Sequence, residues 1–301
     1  MKIAAFLLCL LAFCSFAYYL QFENYNIPPD FDGNSRAVIC DIDGDGDGDV
    51  LAANYVDRIR VYVNTGVDSN GDGAPEFIYE NWRIPMDTSS VHSLTVFDAD
   101  DDGDPDLFLG MGRNFGVGGI ENIVLINDGT GNFAENSSAI PRRADRTSWS
   151  VLRDLNGDGL GDFIIANGDY WDSGYHPDRS AVLINSGIKN SDSLWVFVDP
   201  ADSASLSDSV WSDSAITRDI ICADFDGNGY PDILLVNRYG PCHYYSNYCS
   251  SPGNIPRFAR VDSMLPDSLR GEEDYFCGAS ADVDADGNPD LLISTYTGLP
   301  R

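Results

Sequence analysis

One nine-residue loop occurs five times in this 301-residue chain, and no other feature limits its fold so strongly. The copies occupy residues 41–49, 98–106, 154–162, 224–232 and 282–290. Oxygen-bearing side chains stand at positions 1, 3, 5 and 9. They are Asp41, Asp43, Asp45 and Asp49; Asp98, Asp100, Asp102 and Asp106; Asp154, Asn156, Asp158 and Asp162; Asp224, Asp226, Asn228 and Asp232; Asp282, Asp284, Asp286 and Asp290. The position-7 residues Asp47, Asp104, Leu160, Tyr230 and Asn288 complete the candidate ligand sets. Position 6 is always glycine (Gly46, Gly103, Gly159, Gly229 and Gly287), as a sharp turn requires. An ordinary Asp-Gly turn uses one acidic or amide side chain and gains nothing from four. Two carboxylates about 5 Å apart repel by roughly 3 kcal/mol at an effective dielectric near 20. A divalent cation removes that cost. Calcium, which takes six to eight oxygen ligands in a flexible cage, suits the pattern, with about five ions for the chain.

The loops are not EF-hands. Those place a bidentate Glu at position 12 and continue into a helix, whereas position 12 here is Ala52, Leu109, Ile165, Leu235 and Ile293. Tandem nonapeptide repeats are excluded because the copies lie far apart. Each loop runs into a short apolar segment such as Leu107-Phe108-Leu109 or Ile233-Leu234-Leu235-Val236, the mark of a buried strand. The first aspartates recur at about 57 residues, with one interval of about 70, which signals a repeat architecture. Each unit holds four strand candidates. They are 37–40, 49–54, 59–64 and 77–81 in the first; 93–97, 106–111, 122–126 and 132–136 in the second; 148–152, 162–167, 181–185 and 194–198 in the third; 219–222, 232–237, 242–246 and 257–261 in the fourth. Four short strands per repeat describe a propeller blade.

The D-x-D-G-D-G-x-x-D loop between two strands, with the third strand and turn from Val124 to Phe133, resembles the FG-GAP/VCBS repeat. That resemblance implies the β-propeller of integrin α-subunits and of many secreted bacterial proteins, and calcium in its loops. It leaves function open, since the family hosts adhesins, lectin-like modules and appendages of enzymes. Asn156 and Asn228 depart from the pattern by one charge each. The fold expected is an all-β propeller of four-stranded blades, incomplete, with four full blades and half of a fifth. Residues 1–17 form a signal peptide and 18–301 the propeller, with blades at about 37–90, 91–146, 147–215, 216–275 and 276–301. Residues 21–28 resemble the fourth strand and exit at 77–85 and are a candidate closing strand.

Lys2, an apolar core from Ile3 to Phe13 and Ser15-Phe16-Ala17 make the secretory reading. The chain is thus expected to be secreted, periplasmic or at the cell surface. Cys14 raises a lipoprotein alternative, against which the bulky Phe13 stands. No segment is apolar and long enough for a transmembrane span. The formal charge of −30 argues against nucleic acid and anionic membranes as partners. Cys242 and Cys249 bracket a short loop and are expected to pair as a disulfide; Cys40, Cys222 and Cys277 read as small buried residues. A further cation loop is outlined by Asp68, Asn70, Asp72 and Glu76, with an acidic hairpin as the alternative.

The three histidines share no motif, and no nucleophile, zinc or phosphate-loop signature is present. The chain therefore reads as non-catalytic. The loops joining second to third strands carry Arg113, Tyr170, Trp171, Tyr175, Arg238 and Tyr239, residue types that recognition surfaces use. These observations lead to an exported calcium-binding propeller module for protein or glycan binding and adhesion. The alternative is the scaffold or appended domain of a secreted carbohydrate-active enzyme, a lyase or hydrolase.

Overall fold

The computed structural model describes residues 34–54, 57–69, 71, 74–84, 90–112, 119–168, 178–200, 214–271 and 274–295. Among them the regular structure is β, apart from single 3-10 turns such as Asn81–Arg83 and Ser137–Ala139. The first blade is β1 (Asn34–Cys40), β2 (Asp49–Asn54), β3 (Arg60–Asn64) and β4 (Phe77–Tyr79). The second has β5 (Val91–Phe97), β6 (Asp106–Met111), the two-residue β7 (Ile120–Glu121), β8 (Ile123–Asn127) and β9 (Phe133–Glu135). After β10 (Ala144–Asp145) the third has β11 (Thr147–Arg153), β12 (Asp162–Asn167), β13 (Asp178–Arg179), β14 (Ala181–Lys189) and β15 (Trp195–Val198). After β16 (Ser214–Ala215) the fourth has β17 (Thr217–Ala223), β18 (Asp232–Asn237), β19 (His243–Asn247) and β20 (Phe258–Arg260). β21 (Tyr275–Ala281) and β22 (Asp290–Thr295) make a two-stranded fifth.

Each full blade is an antiparallel sheet in chain order: β1-β2-β3-β4, β5-β6-β8-β9, β11-β12-β14-β15 and β17-β18-β19-β20. This is the propeller-type, all-β architecture expected, with four complete sheets and a half. The second strands begin and end where the sequence placed them, because the aspartate at loop position 9 marks their start. Every first strand also carries a register irregularity near its start, such as that between Val91 and Ser93 or between Thr217 and Asp219. A bulge of that kind bends a strand and is invisible to the apolar pattern.

The described residues fall into two compact units, one within Met1–Asn114 and Asn122–Ser137, the other within Phe115–Glu121 and Ser138–Arg301. In the first, β1 and β2 pack against β5; in the second, β11 and β12 pack against β17, and β17 and β18 against β21. The inner strands β6, β12 and β18 are buried at all six residues, on both of their faces. This explains their continuous apolar runs, since alternation is needed only where one face meets water. Two short ladders, β7 with β10 and β13 with β16, join a second-to-third-strand loop to the segment that enters a first strand.

The expected disulfide is not present. Cys242 and Cys249 are both buried free thiols. They stand before and after β19, and five extended residues at about 3.3 Å each separate them too far for the roughly 6 Å between Cα atoms that a bridge requires. Cys242 packs among Ile221, Leu234, Tyr244 and Tyr275. The Cys249 thiol donates to the carbonyl of Ser251 at 3.3 Å. Cys40, Cys222 and Cys277 lie in first strands as expected but are half-buried. The leader 1–17 and the candidate closing strand 21–28 lie outside the described residues.

Candidate metal centres

Each nine-residue loop joins a first strand to a second and folds around its own carboxylates. The aspartate at position 1 accepts two backbone amides, Gly44 and Gly46 at Asp41 (2.8 and 2.9 Å), and Gly157 and Gly159 at Asp154 (2.7 and 2.9 Å). The position-5 side chain accepts the position-7 amide, as Asp102 does from Asp104 (3.0 Å) and Asn228 from Tyr230 (2.9 Å). These bonds curl the loop and turn side-chain oxygens towards one centre. Position-6 glycines have φ from +88° at Gly159 to +95° at Gly103, and a Cβ there would meet nothing within 4 Å. Glycine is required by backbone conformation, not by lack of space. Position 4 is left-handed too, at Gly44, Gly157 and Gly227 and also at Asp101 and Ala285 (both φ +63°). The glycine at position 4 of the D-x-D-G-D-G-x-x-D pattern is present in three of the five loops and meets the same requirement.

In four loops three carboxylates offer oxygens within 4.8 Å of one another: Asp41, Asp43 and Asp45; Asp98, Asp100 and Asp106; Asp224, Asp226 and Asp232; Asp282, Asp284 and Asp290. In the third loop Asn156 stands among Asp154, Asp158 and Asp162, and its Nδ2 donates to Asp158 Oδ2 at 3.1 Å. Position 7 contributes no side-chain oxygen at Leu160. Of the outlying set, Asn70 and Asp72 lie outside the described residues. Asp68 accepts from Gly71 N at 2.7 Å, the same closure as in the main loops, and Glu76 accepts from the Ser69 hydroxyl.

The position-9 aspartate is the keystone of each full blade. Asp49, Asp106, Asp162 and Asp232 are buried. One oxygen accepts the position-2 amide and the other the amide of an asparagine on the third strand. At Asp106 these are Ala99 N (2.7 Å) and Asn127 N (2.8 Å); at Asp232 they are Phe225 N (2.9 Å) and Asn247 N (2.7 Å). Asn64 and Asn185 do the same for Asp49 and Asp162. These four asparagines were not recognised as site residues, although Asn64, Asn127 and Asn185 each follow a third-strand apolar run. Their side chains cap the next turn, as Asn127 Oδ1 does for Gly131 N at 3.0 Å.

Burial pushes Asp106 and Asp162 up to about 7, with Asp100 and Asp102 adding repulsion at the former and Asp158 and Asp154 at the latter. Asp49 and Asp232 are raised for the same reason. Asp43 is raised by burial and then by Asp45, against the lowering pull of Arg83. A carboxyl that holds its proton more tightly when folded loses stability as pH rises from the unfolded value near 3.8 through the folded one. The metal-free protein is therefore expected to lose a few kcal/mol between about pH 4 and 7, at roughly 1.4 kcal/mol per pKa unit. Urea unfolding in EDTA across that range checks this; stability that rises with pH would refute the assignment.

Of the expected recognition residues, Arg113, Tyr170, Trp171 and Tyr175 lie outside the described residues. Arg238 is not an open anchor: its Nε lies 3.4 Å from Asp274 Oδ1 and its guanidinium stacks 4.6 Å from the Tyr239 ring centroid. Tyr239 is exposed. Among the described residues no helix is long and apolar enough to cross a membrane.

These centres define a class: an all-β repeat protein whose blades each carry one acidic loop between first and second strands. Residues 41–109 match the family model described as an FG-GAP-like repeat, so the chain carries an FG-GAP-like repeat there. No curated protein matches the chain. A crystal structure of the Chaetomium thermophilum Nup170 NTD–Nup53 complex is similar at 8% identity and a TM-score of 0.45, over 88% of this chain and 39% of that one. A second, BBS1N in complex with ARL6DN soaked with lead, is similar at 10% identity and a TM-score of 0.39, over 89% of this chain and 78% of that one. The chain thus spans well under two thirds of the first of these structures.

Proposed function

We propose that this chain is an exported, calcium-stabilised propeller module that binds a protein or glycan and has no catalytic role. The observation that carries the metal reading is the convergence of three carboxylates within 4.8 Å in four separate loops. The donors are all oxygens, as calcium prefers. Asp43 Oδ1 is buried without a hydrogen-bond partner among the described residues, although Arg83 pairs with the same carboxylate through Oδ2. The side chains at positions 1, 3, 5 and 9 would hold the ion, and calcium when bound would neutralise the crowded charge. The position-9 aspartates already tie the loop to the third strand, so ion and blade support one another. Export rests on the leader-like residues 1–17, and binding on the aromatic residues of the second-to-third-strand loops.

A glycan array and a pull-down of surface proteins test the binding role, using the wild type and Trp171→Ala/Tyr239→Ala. A ligand should be found, and the double variant should bind it at least about thirtyfold more weakly, as aromatic anchors worth about 2 kcal/mol dictate. A ligand bound equally by both proteins would place recognition elsewhere.

A further inference from the structure

Two of the acidic loops are roofed by the blade that follows, and they meet the resulting charge problem differently. In the first unit the turn after β8 covers the first loop: Asn127 Nδ2 donates to the carbonyl of Ile42 at 2.8 Å. In the second unit the turn after β19 covers the third loop, with Asn247 Nδ2 donating to Leu155 O at 2.8 Å and Gly253 N to Asn156 O at 3.1 Å. The roof half-buries position 3 of the first loop and fully buries it in the third. At the third loop that position is the neutral, buried Asn156, whose amide is satisfied by Asp158. At the first loop it is the anion Asp43, and an arginine reaches it.

Arg83 comes from the 3-10 turn Asn81–Arg83 that follows β4. Its side chain is 11% exposed. Nη2 lies 3.3 Å from Asp43 Oδ2, Nε lies 2.6 Å from Glu80 Oε2, and Nη1 donates to the carbonyl of Thr130 in the roofing turn. Gly131, at φ +78°, makes room: a Cβ there would collide with Nη1. All three guanidinium nitrogens are thus engaged in a cradle built from two blades, the kind of rigid multidentate site that suits arginine and not lysine.

We propose that Arg83 is a resident counter-cation of the first loop, holding the roofed loop in shape without a divalent ion and opposing calcium there. This rests on the calcium reading above. With acids at all five odd positions, the first loop has more charge than the third, fourth and fifth, and by charge count alone would bind more tightly than they do. A fixed positive charge bonded to one ligand repels an incoming ion and cancels that advantage.

The test uses the full chain with Arg83→Met and Arg83→Gln, calorimetric calcium titration, and unfolding in EDTA. The glutamine variant keeps a donor for Thr130 and covers the case in which the methionine variant fails to fold. Both are expected to be less stable in EDTA and to raise the calcium affinity of one site by about tenfold, leaving the other sites unchanged. A purely structural brace would not tighten any site, so affinities that are unchanged or weaker overturn the proposal. Absence of calcium uptake by wild type and variants alike overturns the calcium reading itself. Uptake by the wild type with unaltered variant profiles overturns only the role of Arg83.

Discussion

Millimolar calcium is expected to raise the melting temperature by about 10 °C or more over the same protein in EDTA. The expectation follows from four clusters of three carboxylates, each within 4.8 Å, that are crowded in the ion's absence. A site at 100 times its Kd contributes about 2.7 kcal/mol, and 1 kcal/mol moves the midpoint by about 2–4 °C in a domain of 150–250 residues. Several sites acting together exceed the effect of any single surface interaction. Magnesium should substitute poorly, because it demands near-octahedral geometry and gives up its water reluctantly. Differential scanning calorimetry at fixed ionic strength decides the matter. Superimposable curves in EDTA and calcium would end the metal reading.

The second large effect is expected without any metal. Asp106→Ala, measured by urea unfolding in EDTA near pH 6, should cost about 2–4 kcal/mol. The substitution strips the acceptor from the amides of Ala99 and Asn127, which Asp106 holds at 2.7 and 2.8 Å from within the core. Each buried donor left unsatisfied costs about 1–3 kcal/mol, and relief from burying the carboxyl group returns only part of it. Asp290→Ala, at the same loop position in the fifth blade, should cost less than about 1 kcal/mol. Asp290 is exposed and accepts Val283 N at 2.9 Å, where water can replace it. Asp106→Asn keeps a side-chain acceptor, so it should lie between the two. Equal losses at Asp106 and Asp290 would show that the third-strand asparagine is not what makes position 9 structural.

Much of the architecture was legible because its signals are local. Gly46 and its four counterparts mark a backbone conformation that their own φ requires. The aspartate at position 9 marks the residue where the second strand starts, so β2, β6, β12 and β18 could be placed to the residue. The bulges, the β7–β10 and β13–β16 ladders and the separation of Cys242 from Cys249 were not legible, because each depends on which segment lies alongside. Proximity in sequence suggested a cysteine pair; an intervening extended strand keeps the two apart.

Burial divides what sequence alone determined from what only tertiary structure decided. Ile233-Leu234-Leu235 and Leu291-Leu292-Ile293 follow the same loop and read as the same strand, and both are strands. Yet Leu234 is 1% exposed and Leu292 42%, and Asp232 is buried while Asp290 is not. β18 lies between β17 and β19, whereas β22 pairs with β21 alone among the described residues. Loop shape and strand propensity are properties of a few consecutive residues, and the sequence determines them. Whether a carboxylate is a buried keystone, a roofed group facing Arg83 or a solvated surface group depends on the neighbouring strand or blade, because desolvation is set by what covers a group and not by the group itself.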